Sequence, residues 1–597
     1  MKSMKFCEME VISSHNINGS SSSFLHSSKA KEGKDKLAWL RSQLIGEDVK
    51  LEAPFGNRRL TYADHTATGR SLLSLENYIT KHVLPFYGNT HTSDSFVGQR
   101  TTRMVMEATA YVKKCIRAGP ETAVIFCGSG ATAAIKRLQE VMGIVIPSHL
   151  KGRENAALTE EERWVVFLGP WEHHSNLLSW RQTAADVVEI GVDGRTGLLD
   201  MEQLEVELDR TKCANRRMLG SFSACSNVTG ILCDTRALAR LLHQYGAFAC
   251  FDFATSGPYV EIDMGSEDSE RYDAVFLSPH KFVGGPGSPG ILVMNKALYQ
   301  HRSLPPSTCG GGVVAYVNGF NPNDTLYYDD IEEREEAGTP PIIQKIRTAL
   351  AFRVKEFIGY DVIDRCETFF IEAAFKRFLP NPNIHILGNL EVKRLAILSF
   401  LIFPADNGES KEESANGKKT TEKPLNGRFV AKLLNDLFGI QARGGCSCAG
   451  PYGHYLLGID ESFSLGIRSL IQKGYKGLKP GWTRVSFSYY MTMEEFQFIL
   501  SAIDFIAANG HRFLSLYDFD WKTGDWKYGM PLMPNYLIGM KKGKLKALYF
   551  QSRKRSVSRK FAKYLKRAVK IVASLPEKPC AKKVPEEVDY NLIYFKI

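Results

Sequence analysis

The stretch SPHKFVGGPG at residues 278–287 follows the apolar run 272–277 and ends in a glycine-rich turn. A short apolar run bounded by turn formers is typical of a buried strand, so Lys281 is predicted to stand at a strand end that opens into a cleft. Partial desolvation and the neighbouring His280 both favour the neutral amine. A neutral amine can form an imine with a carbonyl compound. A solvated loop lysine would have the same local sequence, so the interpretation depends on other segments.

A second apolar run, AFACFDFAT at residues 247–255, contains one carboxylate, Asp252. Buried aspartates are rare unless a cation pairs with them. A protonated pyridine nitrogen is such a cation, and a carboxylate that keeps it protonated makes the ring an electron sink. The alternative is an ordinary aspartate at a strand end that caps the next loop.

Two further segments each follow an apolar run. In FCGSGATAAI, residues 126–135, small residues precede a helical pattern and would let backbone N–H groups and the Thr132 hydroxyl bind a phosphate. The segment lacks the Walker ending and the full GxGxxG spacing, so it does not predict an ATP or dinucleotide site. In WEHHSN, residues 171–176, an imidazole could stack on an aromatic coenzyme. A plain strand-turn-helix junction and a surface histidine are the respective alternatives.

The order of these segments along the chain resembles that of the class V aminotransferase family of fold-type I pyridoxal-phosphate enzymes, above all its cysteine desulfurase and selenocysteine lyase branch. The matching motifs are YADHTAT (62–68), SGAT (129–132), EHHSN (172–176), SNVTG (226–230), Asp252, Ser278 with His280-Lys281, GGG (310–312), EAGTP (336–340), RGGCSCA (443–449) and TRVS (483–486).

The resemblance implies an α/β fold with a large, mainly parallel-sheet domain and a smaller α+β domain, and strand-like runs alternate with helical ones from 61 to 350. The site is expected in a cleft between the two domains. The predicted divisions are a disordered segment 1–33, a segment 34–60 on the small domain, the large domain 61–350, the small domain 351–510 with a flexible insert 406–427, and a basic extension 511–597.

The resemblance also implies pyridoxal 5′-phosphate as the cofactor. Lys281 would hold the coenzyme covalently and shuttle protons, His173 would stack on its ring, and Asp252 would pair with its pyridine nitrogen. The other implied coenzyme contacts are those of Ala131, Thr132, Asn227, Thr255, Ser278 and His280, and that of Thr339 across a homodimer. The implied substrate-binding residues are Arg484, Asn227 and His91. Arg484 would hold the substrate carboxylate, for which a planar guanidinium is suited.

Cys448 decides between reactions. The resemblance implies that its thiolate attacks the sulfur of a cysteine-derived intermediate and becomes a persulfide, with Arg443 and His454 assisting. The alternative is one small buried cysteine among twelve. Three positions depart from the branch pattern: Thr255 replaces a glutamine, Pro279 a glycine, and Cys446-Ser447 a pair that often contains histidine. The Cys446-x-Cys448 spacing does not match zinc sites, so no metal is predicted, and a strained disulfide is the remaining possibility.

The sequence therefore predicts a pyridoxal-phosphate enzyme that converts L-cysteine to L-alanine and transfers sulfur to Cys448. The alternatives are an aminotransferase, an epimerase, a β-lyase or a selenocysteine lyase that does not use this thiol. An enzyme-derived scaffold that binds partners through a basic tail is an alternative of another class. The implied partners are a small amino acid, a second copy of the chain and a sulfur-acceptor protein.

The net charge of +11 over 597 residues arises from the C-terminal region, where thirteen Lys and Arg and no Asp or Glu lie between 541 and 570. Within it, Phe561, Leu565, Ala568 and Val572 recur at helical spacing. They predict an amphipathic helix that packs on its own domain, or else binds an anionic surface, an acidic partner or calmodulin. The region lacks a signature of specific nucleic-acid recognition. After residue 576 the chain is predicted to be an irregular, proline-rich tail.

The absence of 18 consecutive apolar residues argues against a membrane span. The scattered cysteines do not form a secreted disulfide framework, and the serine-rich start contains Glu8 and Glu10 but no arginine. The expected location is the cytoplasm, with an organelle as the alternative.

Overall fold

The computed structural model describes residues 22–152, 158–265, 269–404, 423–529, 557–579 and 582–597. Its α-helices are α1 (Ser22–Ser42), α2 (Leu73–Tyr78), α3 (Phe96–Cys115), α4 (Gly130–Val141), α5 (His174–Arg181), α6 (Met201–Cys213), α7 (Thr235–Gln244), α8 (Ile331–Arg334), α9 (Ile342–Ile358), α10 (Tyr360–Phe378), α11 (Gly427–Leu433), α12 (Gly450–Leu457), α13 (Glu461–Gln472), α14 (Met493–Asn509) and α15 (Val557–Val572).

The strands are β1 (Lys50–Leu51), β2 (Arg58–Arg59), β3 (Thr61–Tyr62), β4 (Thr122–Cys127), β5 (Val165–Leu168), β6 (Asp186–Glu189), β7 (Met218–Ser223), β8 (Phe248–Asp252), β9 (Ala274–Leu277), β10 (Gly290–Asn295), β11 (Val314–Val317), β12 (Thr325–Tyr327), β13 (Ile384–Ile386), β14 (Ile397–Ile402), β15 (Ile440–Gln441), β16 (Arg443–Gly445), β17 (Trp482–Ser486), β18 (Tyr517–Phe519) and β19 (Trp526–Tyr528).

The described chain forms two units. Unit 1 contains the residues up to Ile45, His65–Glu367 and Asn389–Leu395, and unit 2 contains Gly46–Asp64, Thr368–Gly388 and the residues from Ala396 onward. The predicted large domain lies mostly in unit 1. The predicted segment 34–60 is divided between the units after Ile45, and the C-terminal extension belongs to unit 2.

Unit 1 is built on a seven-stranded sheet with the order β4-β10-β9-β8-β7-β5-β6. Strands β5 to β9 are parallel, and β10 runs antiparallel to both β9 and β4. The strand sequences are almost wholly apolar because both faces of such a sheet are covered by helices. On α4, Ala134, Ile135 and Leu138 are completely buried in the core that includes β4 and β10. The predicted α/β class with a mainly parallel sheet is confirmed.

One edge of this sheet collects the chemically distinctive segments of unit 1. The carboxyl ends of parallel strands lie at the same edge, where ligands bind in open α/β sheets. The segments that follow β4, β5, β7, β8 and β9 at this edge begin with Gly128, Gly169, Ala224, Phe253 and Ser278. Asp252 pairs in register with Phe276, so the ends of β8 and β9 are direct neighbours.

Unit 2 has a four-stranded antiparallel sheet with the order β13-β14-β17-β16. In its register Arg443 lies opposite Arg484 and Gly445 opposite Trp482. A separate parallel pair joins β15 to β3, so Thr61 lies opposite Ile440. The strand β3 thus brings the segment before residue 65 to the C-terminal half of the chain.

Helix α15 packs on unit 2 through the predicted apolar stripe. Phe561 stacks on Phe498 with ring centroids 3.9 Å apart and planes 5° apart. Such a pair contributes roughly 0.5–1.5 kcal/mol beyond the area that it buries. Ala568 and Val572 are also buried, and Tyr564 accepts a hydrogen bond from the backbone N–H of Arg59 at 3.1 Å. The prediction that this helix packs on its own domain is confirmed.

The proline-rich tail has a largely irregular backbone with one short 3₁₀ helix, Tyr590–Leu592, and is packed against unit 2. Val588, Ile593 and Phe595 are buried in one apolar cluster with Leu470 and Leu478. These apolar side chains pack the tail on residues of α13 and the segment after it, a contact that the proline content does not predict.

Residues 22–33, predicted to be disordered, form the first part of α1. Residues 1–21, the part 406–422 of the predicted insert and the basic stretch 541–556 lie outside the described residues. Within the described residues, no helix combines the length and the apolar character needed to cross a membrane.

Candidate active site

The lysine turn, residues Ser278–Lys281, continues directly from β9 as a short 3₁₀ helix. The backbone N–H of Lys281 donates to the carbonyl of Ser278 at 2.9 Å. The carbonyl of His280 accepts hydrogen bonds from the backbone N–H of Gly69 at 3.0 Å and from the hydroxyl of Thr68 at 3.1 Å. Hydrogen bonds within the turn and to Thr68 and Gly69 therefore fix the backbone from which the Lys281 side chain extends.

The first turn of α4 approaches the lysine turn so closely that only glycine fits. Gly130 has φ 60°, and a Cβ there would lie 2.8 Å from Ser278 Oγ and 2.9 Å from His280 Cε1. Ser278 Oγ accepts from the backbone N–H of Ala131 at 2.8 Å. Burial, and to a lesser degree the charge of Lys281, lowers the pKa of His280 to about 4, so the imidazole is neutral. Helix amides, a hydroxyl and a neutral imidazole fit a phosphate group.

His173 forms the N-cap of α5 and is held by its own helix. The backbone N–H of Ser175 donates to His173 Nδ1 at 3.1 Å. Ser175 Oγ lies 3.0 Å from the same nitrogen and 2.7 Å from Thr132 Oγ1. The chain Thr132–Ser175–His173 connects the predicted phosphate segment to the predicted stacking residue. An imidazole fixed in this way fits the face of an aromatic coenzyme.

Asp252 is a buried carboxylate at the end of β8, with 5% of its surface exposed. One of its oxygens accepts from the backbone N–H of Ala254 at 2.8 Å. Burial raises the pKa of Asp252, while this hydrogen bond and the charge of Lys281 oppose the increase. A buried carboxylate is stabilised by a cation, and a protonated pyridine nitrogen fits that requirement. These residues therefore fit pyridoxal phosphate.

Glu172 is a second buried acid, to which the sequence analysis gave no role. Its carboxylate accepts from the backbone N–H of Ser223 at 2.8 Å, the hydroxyl of Ser223 at 2.6 Å and the amide of Asn176 at 2.6 Å. Burial raises the pKa of Glu172 to about 7, and Asp252 adds to the increase. Its position before His173 in the motif was the available signal. It joins β7 to α5 beneath the site.

Asn227 and Thr255, both predicted to contact the coenzyme, are buried, with 7% and 6% of their surfaces exposed. The segment that follows β8 is held from below by Lys355. Its ammonium donates to the carbonyls of Gly257 at 2.6 Å and Val260 at 2.5 Å. Burial lowers the pKa of Lys355 to about 7. Lys355 thus supports the turn that carries Thr255, a role that the sequence analysis missed.

His91 and Thr339 lie in unit 1 in a group with Asn89 and Gly312, and both are exposed. The amide of Asn89 donates to Thr339 Oγ1 at 3.3 Å, and the His91 ring lies 3.3 Å from the position of a Cβ on Gly312. A cavity of about 640 Å³ borders this group, with His91 and Gly312 in its lining. The group is an accessible surface of unit 1.

In unit 2, Arg484 is a buried guanidinium on β17, with 3% of its surface exposed. It donates to Asp64 Oδ1 at 3.0 Å, and Arg443 donates to Asp64 Oδ2 at 3.0 Å. Burial lowers the pKa of Arg484, whereas Asp64 and, to a lesser degree, Cys448 raise it. Asp64 is thus the shared partner of two arginines that face each other across β16 and β17. No pattern in the sequence indicated a role for Asp64.

The cysteine turn, residues Cys446–Ala449, joins β16 to α12. The backbone N–H of Ala449 donates to the carbonyl of Cys446 at 3.1 Å. Ser447 and Cys448 have φ values of 53° and 57°, a left-handed conformation that costs roughly 1–2 kcal/mol for each residue that is not glycine. Cys448 is exposed and Cys446 is half-buried, and both are free thiols. The exposure of Cys448 does not fit the alternative interpretation, in which Cys448 is a small buried cysteine.

His454, predicted to assist Cys448, has both ring nitrogens engaged elsewhere in unit 2. Nδ1 lies 2.8 Å from the carbonyl of Gly450, and Nε2 lies 2.9 Å from Ser464 Oγ. These contacts join α12 to α13 and give the imidazole a structural role. Among the described residues, no group of three or more His, Cys, Asp or Glu is arranged to hold a metal ion.

Comparison with known proteins gives a family match and relatives of similar sequence. The profile of the aminotransferase class-V family matches residues 61–499. A probable cysteine desulfurase of Staphylococcus aureus strain Mu50 is 27% identical over 365 residues, which cover 60% of this chain and 81% of the relative. A probable cysteine desulfurase of Staphylococcus epidermidis strain ATCC 12228 is 27% identical over 355 residues, which cover 59% and 78%.

Two solved structures are similar in fold. A cysteine desulfurase from Thermococcus onnurineus NA1 has a TM-score of 0.56 at 22% identity, covering 75% of this chain and 94% of that one. The cysteine desulfurase CsdA from Escherichia coli has a TM-score of 0.55 at 20% identity, covering 78% and 97%. At these identities the likeness establishes the fold.

Proposed function

We infer that this enzyme removes sulfur from L-cysteine and leaves L-alanine. The premise is that the chain belongs to the aminotransferase class-V family and is a pyridoxal-phosphate-dependent enzyme. The observation that carries the inference is the exposed thiol of Cys448 in the turn that follows β16, the strand that pairs with the β17 strand of Arg484. The relatives named as probable cysteine desulfurases support the choice of substrate.

The residues of unit 1 would hold the coenzyme. Pyridoxal phosphate, when bound, withdraws electrons from the Cα atom of an amino acid. The first turn of α4 and Ser278 would bind its phosphate, His173 would cover its ring, and Asp252 would keep a proton on its pyridine nitrogen. The amine of Lys281 would take and return the proton at the substrate Cα.

Two residues of unit 2 would act on the substrate. Arg484 would bind the carboxylate, and the Arg443–Asp64 pair would orient its guanidinium. The thiolate of Cys448 would attack the substrate sulfur, so that the Cβ–S bond breaks and a persulfide forms on Cys448. The exposure of Cys448 supports this role because a sulfur carrier must be reached after the reaction.

We also propose a homodimer, a sulfur-acceptor protein and a cytoplasmic location. The exposed Thr339 beside the open cavity of unit 1 supports an approach by a second copy. The free thiols of the described cysteines support a reducing compartment.

The test begins with the visible absorption of the purified protein, which reports the coenzyme on Lys281. The protein is then incubated with L-cysteine, and alanine is measured with and without added pyruvate, the 2-oxo acid that transamination converts to alanine. We expect alanine that forms without the oxo acid, together with a persulfide. Alanine that forms only with the oxo acid would indicate an aminotransferase, and no change in either product or spectrum would contradict the proposal.

A further inference from the structure

We propose that Cys446 is a second catalytic thiol, which displaces the sulfur carried by Cys448 and releases it as hydrogen sulfide. The inference rests on the proposed function, because it needs sulfur to arrive on Cys448. It adds a fate for that sulfur: release as a small molecule from within the cysteine turn. The chemistry required is attack by one thiol on the persulfide of another.

The geometry of the cysteine turn gives Cys446 and Cys448 a backbone separation that a disulfide can span. Positive φ values at Ser447 and Cys448, with the hydrogen bond from Ala449 to Cys446, define a type I′ turn. Cys446 is its first residue and Cys448 its third. Residues at these positions have Cα atoms within the roughly 4.4–6.8 Å that a disulfide spans.

The turn is anchored on both sides, which limits how far Cys448 can travel. Before it, Gly445 pairs with Trp482, and a Cβ on Gly481 would lie 2.5 Å from the carbonyl carbon of Gly445. After it, Ala449 is completely buried and caps α12. A thiol on a long loop can carry sulfur to a distant acceptor. A thiol in this turn has a nucleophile available two residues away.

The turn also keeps a conformation that its sequence does not favour. Type I′ turns select glycine or asparagine at their central positions, whereas this one has serine and cysteine. The surrounding strand and helix therefore impose the turn, in which a half-buried cysteine and an exposed cysteine stand two residues apart.

The step balances in atoms and electrons. The Cys446 thiol loses its proton, and its sulfur attacks the inner sulfur of the Cys448 persulfide. The S–S bond of the persulfide breaks, a Cys446–Cys448 disulfide forms, and the outer sulfur leaves with the proton as hydrogen sulfide. The protein is oxidised by two electrons. A dithiol of the surroundings reduces the disulfide and restores both thiols, and the exposure of Cys448 gives that dithiol access.

A single turnover tests the proposal. The coenzyme-loaded protein, free of added reductant, receives half an equivalent of L-cysteine per subunit, and alanine and hydrogen sulfide are both measured. The protein is then alkylated and digested with trypsin, which yields a peptide of residues 444–468 that contains both thiols. The same protocol is applied to Cys446→Ser and to Cys213→Ser, which removes an exposed thiol of unit 1.

For the wild type and Cys213→Ser we expect about one sulfide per alanine and a peptide lighter by two hydrogens, about 2 Da. For Cys446→Ser we expect at least a tenfold smaller ratio of sulfide to alanine and a peptide heavier by one sulfur, about 32 Da. Dithiothreitol should restore the mass of the wild-type peptide.

Alanine with a persulfide retained on the wild-type peptide would overturn the proposal and leave the desulfurase function standing. An equal sulfide-to-alanine ratio in Cys446→Ser would also overturn it. If the wild type forms no alanine, the desulfurase function is ruled out, and so is the attack of Cys446 on a Cys448 persulfide.

Discussion

The lysine turn and the cysteine turn are built alike but differ in burial. Each follows a strand, and each depends on a glycine that cannot carry a side chain, Gly130 beside the first and Gly481 beside the second. The lysine turn lies in a buried polar network that includes Asp252 and Glu172. The cysteine turn presents an exposed thiol. Under the proposed function, this difference would let unit 1 control proton transfer and unit 2 pass sulfur to its surroundings.

Removal of the amine from the lysine turn should have the largest effect on activity. We expect Lys281→Ala to lose alanine formation by roughly 10³–10⁴-fold, because proton transfer at Cα has no other group of this kind in the turn. The visible absorption should disappear as well. The exposed α3 residue Lys114 gives the control Lys114→Ala, which should retain both. Activity within tenfold of the wild type in Lys281→Ala would contradict the assignment.

Removing the thiol of the cysteine turn should separate the two functions. We expect Cys448→Ala to lose alanine formation from L-cysteine by roughly 10²–10³-fold, because the substrate sulfur has lost its nucleophile. The visible absorption should remain, since the coenzyme residues of unit 1 are intact. Cys213→Ala is the matched control and should behave as the wild type. Full activity in Cys448→Ala would remove this thiol from the mechanism.

Burial in unit 1 should be measurable as a dependence of stability on pH. The pKa of Glu172 is raised from 4.5 to about 7, so its contribution to the free energy of unfolding is present below pH 4.5 and is lost as the pH rises through 7. The full loss is at most about 3 kcal/mol. We expect the unfolding temperature of Glu172→Gln, relative to the wild type, to increase between pH 5 and pH 8.

The control for this measurement is Glu202→Gln, because the Glu202 side chain is exposed. Its unfolding temperature should follow that of the wild type at every pH. A constant difference between Glu172→Gln and the wild type would show that Glu172 has the same pKa in the folded and unfolded chains.

The smallest expected effect concerns the arginines beside the cysteine turn. We expect Asp64→Asn to raise KM for L-cysteine by about tenfold, because Arg484 loses the charged hydrogen bond that orients it. The exposed residue Asp209 gives the control Asp209→Asn, for which KM should not change. A lower KM in Asp64→Asn would indicate that Asp64 competes with the substrate carboxylate for Arg484.

The sequence was informative where one motif contains the whole local arrangement. The lysine turn, the first turn of α4 and His173 each lie in a short segment with distinctive residues, and the alternation of strands and helices predicted the parallel sheet. The sequence did not predict contacts between residues that are far apart in the chain. Asp64 and Arg484 are 420 positions apart, and Lys355 reaches Gly257 across 98. No local pattern reports such pairs, because either residue alone looks like an ordinary charged residue.

The C-terminal region shows the same limit. The spacing of Phe561, Ala568 and Val572 predicted an amphipathic helix, but not that Phe498 would be its partner. The proline content suggested an irregular tail, but not that Ile593 and Phe595 would be buried. The spacing of apolar residues predicts which face of a helix is apolar. The residues that cover that face are known only from the folded structure.

The division of unit 2 among separate segments has a consequence for the order of events on the ribosome. Residues Gly46–Asp64 emerge early, yet their unit continues beyond Ala396, whereas the residues of unit 1 have all been synthesised by Leu395. Domains fold as units during synthesis, with N-terminal ones first. Unit 1 can therefore fold while translation continues. The early strand β3 can pair only after β15 has been synthesised, some 380 codons later.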